Sequence, residues 1–424
     1  MDMPVHKLPL IDLPEHHGPL AFLFPGDEKP VFGNHQESVT REAANHLASC
    51  FNSLVSRGVE RYIAQRFTLQ TLMALFAEDI GLLERYLFTR LLDECKTPAD
   101  SYDLLGGLFE AMNTPGGVKG GRFKGVAYFN GGLFSEPARV EIDGGEMLAL
   151  RLAAASNWSK VRPEIFGALF EHSLHKEERH AFGAHFTSAV DIMKIVGPTI
   201  VEPWREAIED AKSLKELRTL LSRIEDFKVL DPACGNGNFL YIAYRELKRL
   251  EARIYERMVQ EYKSVDPNQR PFGFVTTRNF FGMDISPFAV DIAKVTMMLG
   301  HKLAIDELHI TENALPLDNL DSNFQAVDAL ITDTEHGTRT PWPKADVIIG
   351  NPPFLGARHL KPERGVDYVN AVRTAYPEVP GLADYCVYWF EELITSLTSA
   401  QPAIARVGVQ GLLEHKTFEI TPHE

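Results

Sequence analysis

The stretch KVLDPACGNGNFLYIAYREL, residues 228–247, decides how the rest of this 424-residue chain is read. A short apolar run, Phe227 to Leu230, has the length of a buried strand and delivers Asp231 to its carboxyl end. Gly235 and Gly237 then let a tight turn pass close to a ligand. From Phe239 to about Tyr262 the residues Leu240, Tyr244, Leu247, Leu250, Ile254 and Met258 fall on one helical face. Strand, glycine turn and helix in that order open a parallel sheet whose ligands bind at the carboxyl edge of the strands. A dinucleotide-binding turn is the rival reading, but the pattern is GxG without the third glycine that pyrophosphate recognition needs.

Two later stretches repeat the strand-then-turn arrangement. In NFFGMDISPFAVDIAK, residues 279–294, a second strand over Asn279–Met283 ends at Asp284. An acid there can accept hydrogen bonds from both hydroxyls of a ribose. It lies farther from the first turn than the roughly 20 residues of compact dinucleotide sites; the long helix after Asn238 and the loop at 267–271 absorb the difference. In ADVIIGNPPFLGARHL, residues 345–360, a strand over Asp346–Ile349 leads into Asn351, Pro352, Pro353 and Phe354. The two prolines fix φ and hold the turn in one exposed shape. The Asn351 side-chain carbonyl and the Pro352 backbone carbonyl are acceptors suited to an exocyclic amine that attacks a methyl group. Phe354 offers a flat apolar face on which a base rotated out of a duplex can stack. With a further short strand over Arg406–Val409, the texture from about Phe182 onward is α/β, strands alternating with crossover helices.

Upstream the pattern is different. Residues 1 to about 32 are proline-rich and without periodicity, an extended lead segment. From Glu37 to about Cys95, apolar residues at Phe67, Leu72, Leu75, Phe76, Leu82, Leu83, Tyr86 and Leu87 recur near helical spacing and predict the core faces of packed helices. The glycines of NTPGGVKGGRFKG, residues 113–125, follow no strand and precede no GK[ST], so they read as loops rather than a phosphate cradle. Trp158 to His175 is expected to be the last helix before the sheet. The expected divisions are thus 1–32, a lead; 33–178, a helical connector; 179–409, the α/β domain; and 410–424, a tail.

Composition bounds the function classes. Hydrophobic content of 45% supports a substantial core, and no apolar run reaches the roughly 20 residues that span a bilayer, which predicts a cytoplasmic protein without membrane partners. Cys50, Cys95, Cys234 and Cys386 are far apart and show no CxxC pairing, so reduced thiols are expected, and no metal is implied by His172, His185 and His301. A net charge of −15 argues against a chain that grips many phosphates by itself.

Together the three turns resemble the motifs of amino-group (N6-adenine) DNA methyltransferases. By that resemblance Asp231, Ala233, Gly235 and Gly237 form the loop that binds S-adenosyl-L-methionine, Asp284 is the ribose-binding acid, and Asp328 in AVDAL faces the cofactor adenine. Asn351, Pro352, Pro353 and Phe354 match the catalytic tetrapeptide. FGAHFTSAVDIM, residues 182–193, is similar to the motif that precedes the cofactor loop, with Phe186 and Thr187 near the methionine end; Ser188, three residues before Asp191, also reads as a helix cap. LFAEDIGLL, YFNGGLF and IFGALFEHSL resemble the helical connector of Mme-type fused type II restriction-modification enzymes, extending the resemblance over roughly residues 33–409. It implies a class I, Rossmann-like methyltransferase domain behind a mainly helical one, with double-stranded DNA as partner and room for a separate target-recognition or nuclease subunit. Two departures stand out. No PD…ExK nuclease constellation lies upstream, and the last two of the family's seven strands, with the recognition domain, are expected to be lacking.

The implied chemistry is direct transfer of a sulfonium methyl to adenine N6 in a duplex, with no covalent intermediate, so Cys234 and Cys386 read as buried thiols rather than nucleophiles. Two rivals remain. A protein glutamine N-methyltransferase also uses an NPP-aromatic turn, though Phe354 in place of tyrosine and the helical connector favour DNA; an inactive binding or assembly subunit is the other.

Overall fold

A computed structural model describes residues 33–129, 132–158, 187–263, 275–308, 319–398, 406–409 and 418–419. The lead segment at 1–32, the helix expected after Trp158, and Phe186 lie outside the described residues. The N-terminal helices are α1 (Gly33–Ser56), α2 (Arg61–Asp79), α3 (Leu87–Glu94), α4 (Pro98–Met112) and α5 (Gly144–Ala154). Local sequence fixes where two of them start. Thr97 and Asp100 form a reciprocal capping box with Pro98 in the first turn of α4, and Asp143 and Glu146 do the same for α5. Glu146 also accepts from Arg57 Nε at 2.7 Å, which ties the start of α5 to the end of α1.

Helix α2 is buried along most of its length, and Arg66 and Gln70 on it bond inside the protein. Arg66 Nη2 donates to Leu133 O at 3.0 Å, Gln70 Nε2 donates to Leu133 O at 2.7 Å and Glu136 O at 2.9 Å, and Gln70 Oε1 accepts from Ala138 N at 2.8 Å. These bonds satisfy backbone groups of the loop after α4, which has no regular ladder to do so. The glycines between 116 and 125 lie in turns and irregular chain, as their sequence context suggests. Of the predicted stripe, Phe67, Leu72, Leu75, Phe76, Leu83 and Leu87 are buried and Leu82 is half-buried. Tyr86 departs from it: the residue is 54% exposed, with φ +62° and the Arg85 guanidinium 5.0 Å over its ring. It belongs to the α2–α3 connector, where a left-handed residue breaks the helical period.

The second half holds α6 (Ala189–Val196), α7 (Glu202–Asp210), α8 (Leu214–Glu225), α9 (Asn238–Tyr262), α10 (Pro287–Glu307), α11 (Ala357–Arg364), α12 (Val366–Ala375) and α13 (Val387–Thr398). Its sheet has strands β1 (Val229–Asp231), β2 (Phe280–Asp284), β3 (Phe324–Ala326), β6 (Val347–Gly350), β7 (Arg406–Val409) and β8 (Phe418–Glu419) in the order β3-β2-β1-β6-β7-β8; β4 (Ile331–Asp333) and β5 (Thr338–Arg339) form a separate hairpin. The first five of the six are parallel and β8 runs antiparallel to β7. The tail expected at 410–424 therefore contains a strand, and with β3 and β8 the sheet has two strands more than the four read from sequence. A two-residue strand carries no period-2 signal for sequence reading to detect.

Each face of the sheet has its own packing layer. Val229, Val347 and Ile349 join the core that contains α9 and α10, whereas Leu230 and Ile348 join the one built by α11, α12 and α13. Alternation along the strands, with both faces covered, is what a doubly wound sheet requires. The first core does not stop at the sheet. It continues through α10 into α1 and α2, where Phe51 stacks on Phe288 with ring centroids 6.4 Å apart. Lys294 of α10 adds an ion pair to Asp321 at 2.8 Å.

Candidate active site

β1 sits between β2 and β6, with Val229 paired to both Phe280 and Val347. From β1 the chain first builds outward through β2 and β3, then crosses to β6 on the other side. The order reverses at β1, and a crevice opens at the carboxyl ends of the strands flanking such a reversal. The turns carrying Asp231, Asp284 and Asn351 all leave the sheet at that edge.

Direct contacts join them. Gly235 N donates to Asp284 Oδ2 at 3.0 Å, fastening the first turn to the end of β2. Cys234 N donates to Met283 O at 2.9 Å beside it. A Cβ on Gly350 would lie 2.5 Å from Asp231 Oδ1, so the backbone before Asn351 passes against the Asp231 carboxylate only because residue 350 has no side chain. Gly235 and Gly237 take φ of +50° and +81°; at Gly235 a Cβ would meet nothing within 4 Å, which leaves open space, and at Gly237 it would press on Ala293 of α10 at 3.0 Å.

Asp231 is 1% exposed and accepts from Ala233 N at 3.0 Å through Oδ1, while its buried Oδ2 has no hydrogen-bond partner among the described residues. Burial pushes this carboxyl up to about 8; the Ala233 amide opposes the rise and the charge of Asp284 adds to it. Asp284 accepts from Ser286 N at 2.9 Å as well as from Gly235 N. Burial raises its pKa too, while those two amides and the Arg364 guanidinium favour the charged form. An unpartnered buried carboxylate oxygen is costly unless a cation or donor reaches it, which is the environment a cationic ligand would complete. Cys234, between the two acids, is held well above the ordinary thiol value by burial first and by both carboxylates second, so it is a neutral thiol.

At the third turn Asn351 Nδ2 donates to Thr187 Oγ1 at 3.4 Å, and Asn351 Oδ1 is buried with no partner among the described residues. Pro352 is buried, Pro353 half-buried and Phe354 44% exposed, so the aromatic face stands open to an incoming group. Ser188, next to Thr187, caps α6: its Oγ accepts from Asp191 N at 3.2 Å and donates to Asp191 Oδ2 at 2.7 Å. Asp328 lies beyond β3. Its Oδ1 accepts from Leu330 N at 2.8 Å and Ile331 N at 3.3 Å, and its Oδ2 accepts from Tyr368 OH at 2.7 Å.

The chain is similar to known DNA methyltransferases and restriction-modification enzymes. A family model for the MmeI DNA-methyltransferase domain matches residues 205–415, and one for the MmeI helicase spacer domain matches residues 63–134. This chain carries the spacer and methyltransferase domains of the MmeI family. It is 30% identical over 342 residues to DNA methyltransferase A of Bacillus subtilis, covering 76% of this chain and 37% of that protein. It is 34% identical over 99 residues to the adenine-specific methyltransferase BrxX of Escherichia coli, covering 22% of this chain and 7% of that one. The solved structure of the type IIL restriction-modification enzyme MmeI in complex with DNA superposes with a TM-score of 0.74 at 24% identity, over 87% of this chain and 50% of that chain. The chain thus spans half or less of the length of each of these relatives.

Within the MmeI-family domain, the structure also brings to the site residues that the sequence reading passed over. Ile285, directly after Asp284, is 42% exposed and gives the edge of the crevice an apolar surface. Arg364, at the end of α11, lies close enough to Asp284 to favour its charge and stacks 5.2 Å over the ring of Tyr385. Trp389 Nε1 donates to Pro232 O at 3.4 Å, bracing the first turn from α13. None of these has a sequence signal beyond proximity to a motif.

Proposed function

We propose that this chain transfers a methyl group from S-adenosyl-L-methionine to N6 of adenine in double-stranded DNA, as the modification component of a restriction-modification system. The observation that carries the reading is the contact of three strand-end turns around two buried acceptors without a partner among the described residues, Asp231 Oδ2 and Asn351 Oδ1. MmeI-family membership supports DNA as substrate, and the adenine-specific name of one relative supports the base.

The residues present fit S-adenosyl-L-methionine: an orphaned carboxylate oxygen for a cationic group, an open glycine turn, and an acid at the end of β2 for ribose hydroxyls. When bound, that cofactor supplies an electrophilic methyl on a positively charged sulfur. On the protein side, Phe354 offers its exposed face to a base rotated out of the stack. Asn351 Oδ1 and the Pro352 carbonyl accept from the two N–H bonds of the exocyclic amine. This aims the nitrogen lone pair away from them and stabilises the positive charge that grows on nitrogen as the new N–C bond forms; the methyl–sulfur bond would break with a neutral thioether leaving, and one amine proton would pass to solvent by way of these acceptors. Thr187 holds the other end of the Asn351 amide, so its oxygen stays turned toward the amine.

Incubation of the chain with methyl-tritiated cofactor and unmethylated duplex DNA tests the reading. The expected result is label in DNA, at least 100-fold less with Asn351→Ala, and cofactor affinity preserved in that variant by calorimetry. Label on a release-factor protein but never on DNA would replace this reading with glutamine methylation. Absence of cofactor binding would leave only an assembly role.

A further inference from the structure

One short segment touches the turn after β1 and the exit of the Asn351–Phe354 turn, and reaches Asp328 through Tyr368. Asp384 and Tyr385, just before α13, take both backbone groups of Leu355, the residue after Phe354. Leu355 N donates to Asp384 Oδ1 at 3.1 Å, and Tyr385 N donates to Leu355 O at 3.0 Å. Cys386 N donates to the same Asp384 oxygen at 3.2 Å, so that carboxylate is fixed by its own chain before it fixes the loop. The Tyr385 hydroxyl is 2.5 Å from the Tyr368 hydroxyl, which donates onward to Asp328 Oδ2 at 2.7 Å. Four residues later, Trp389 meets the Tyr385 ring edge-on at 4.9 Å and bonds Pro232 O beside Asp231. Tyr385 is 1% exposed and its ring is closed over by Arg364, so this brace is buried and has few alternative arrangements.

We propose that Asp384 is a positioning residue for methyl transfer: it holds the exit of the Asn351–Phe354 turn in its transfer-competent shape, and the Tyr385–Tyr368–Asp328 chain ties that turn to the cofactor pocket. The inference rests on the functional reading above and goes beyond it. The catalytic tetrapeptide is rigid at its two prolines, but its downstream end, where Phe354 must meet the base, has Leu355 as its anchor. Asp384 supplies that anchor from a different element. A misplacement of about 1 Å at a reacting group can lower turnover about 100-fold without a matching loss of binding.

The test compares the full chain with Asp384→Ala and Asp384→Asn. The alanine variant is expected to lower kcat about 100-fold, with KM for DNA and Kd for S-adenosyl-L-methionine within about 3-fold of wild type. The asparagine variant keeps a carbonyl oxygen that accepts both amides, and is expected to recover to within about 5-fold. Tyr385→Phe keeps the ring and the backbone bond, and is expected to weaken cofactor binding several-fold by releasing Tyr368 and Asp328. Wild-type turnover in the alanine variant, an asparagine variant as slow as alanine, or a loss of cofactor affinity equal to the loss of turnover would each overturn the proposal. Hydrogen exchange of the peptide spanning 351–360 decides the same point without catalysis. Faster exchange at Leu355 in the alanine variant alone supports the anchor, and equal protection in all three removes it. A wild-type chain that binds the cofactor but labels no DNA would instead defeat the functional reading, with the exchange result still deciding the anchor.

Discussion

At the scale of single residues, Asp231 carries the clearest conflict between stability and function. Its carboxyl is buried against Asp284 with one oxygen unpartnered, and its pKa is pushed up to about 8. An acid whose folded value exceeds its unfolded one holds more protons folded than unfolded between the two. Its contribution to stability is therefore greatest at low pH and falls as pH rises from the ordinary carboxylate range to about 8. Asp231→Asn, which cannot ionise, is expected to flatten that slope and to melt a few degrees higher than wild type at pH 8 without cofactor, while binding S-adenosyl-L-methionine more weakly. Thermal melts of the pair from pH 5 to 8.5 check this. An unchanged difference in Tm across that range would show that Asp231 does not titrate there. Sequence alone made Asp231, Asp284 and Asn351 legible because each closes a short apolar run before a turn. Asp384 and Tyr385 gave no such signal, since what matters about them is a partner some 30 residues away.

At the scale of elements, the buried strands were readable and the peripheral ones were not. β1, β2 and β6 are apolar because both faces are covered, and each was expected to within a residue or two of where it lies. β3 is Phe-Gln-Ala with two of three residues exposed, and β8 is two residues long, so neither stands out from loop sequence. Tyr86 failed in the opposite direction, because it continues an apolar spacing while its backbone turns away. One element would reconcile an acidic chain with the proposed DNA substrate. α11 begins three residues after Phe354 and exposes Arg358, His359 and Lys361, and neither Arg358 nor Lys361 has an ion-pair partner among the described residues. On the proposed reading these side chains would meet phosphates flanking an extruded base. The double variant Arg358→Ala/Lys361→Ala is expected to weaken duplex binding uniformly across sequences and to reduce the slope of log K against log salt by about 2. An unchanged salt slope would place the phosphate contacts elsewhere.

At the scale of the whole molecule, the expected division into a helical connector and a sheet domain describes sequence texture better than packing. The core runs without interruption from Phe51 and Phe67 through α10 to Val229 and Val347. Calorimetry is accordingly expected to give one unfolding transition, and Phe288→Ala, which truncates the ring stacked on Phe51, should lower that transition as a unit, at a cost of about 3–5 kcal/mol. Two resolved transitions, with only one moved by the substitution, would mean that the halves fold independently. Helix α10 links the two halves, packing against α2 of the spacer and, through Ala293, against Gly237 of the first turn.

The central claim is that the three turns form one pocket in which Asn351 presents adenine N6 to a methyl donor. Nucleoside mass spectrometry of duplex DNA, after incubation with the chain and trideuteromethyl-labelled S-adenosyl-L-methionine, tests it most directly. The claim requires N6-trideuteromethyladenine as the labelled nucleoside, absent with Asn351→Ala. Label on a ring carbon of cytosine, or unlabelled DNA from a chain shown to bind the cofactor, would contradict it.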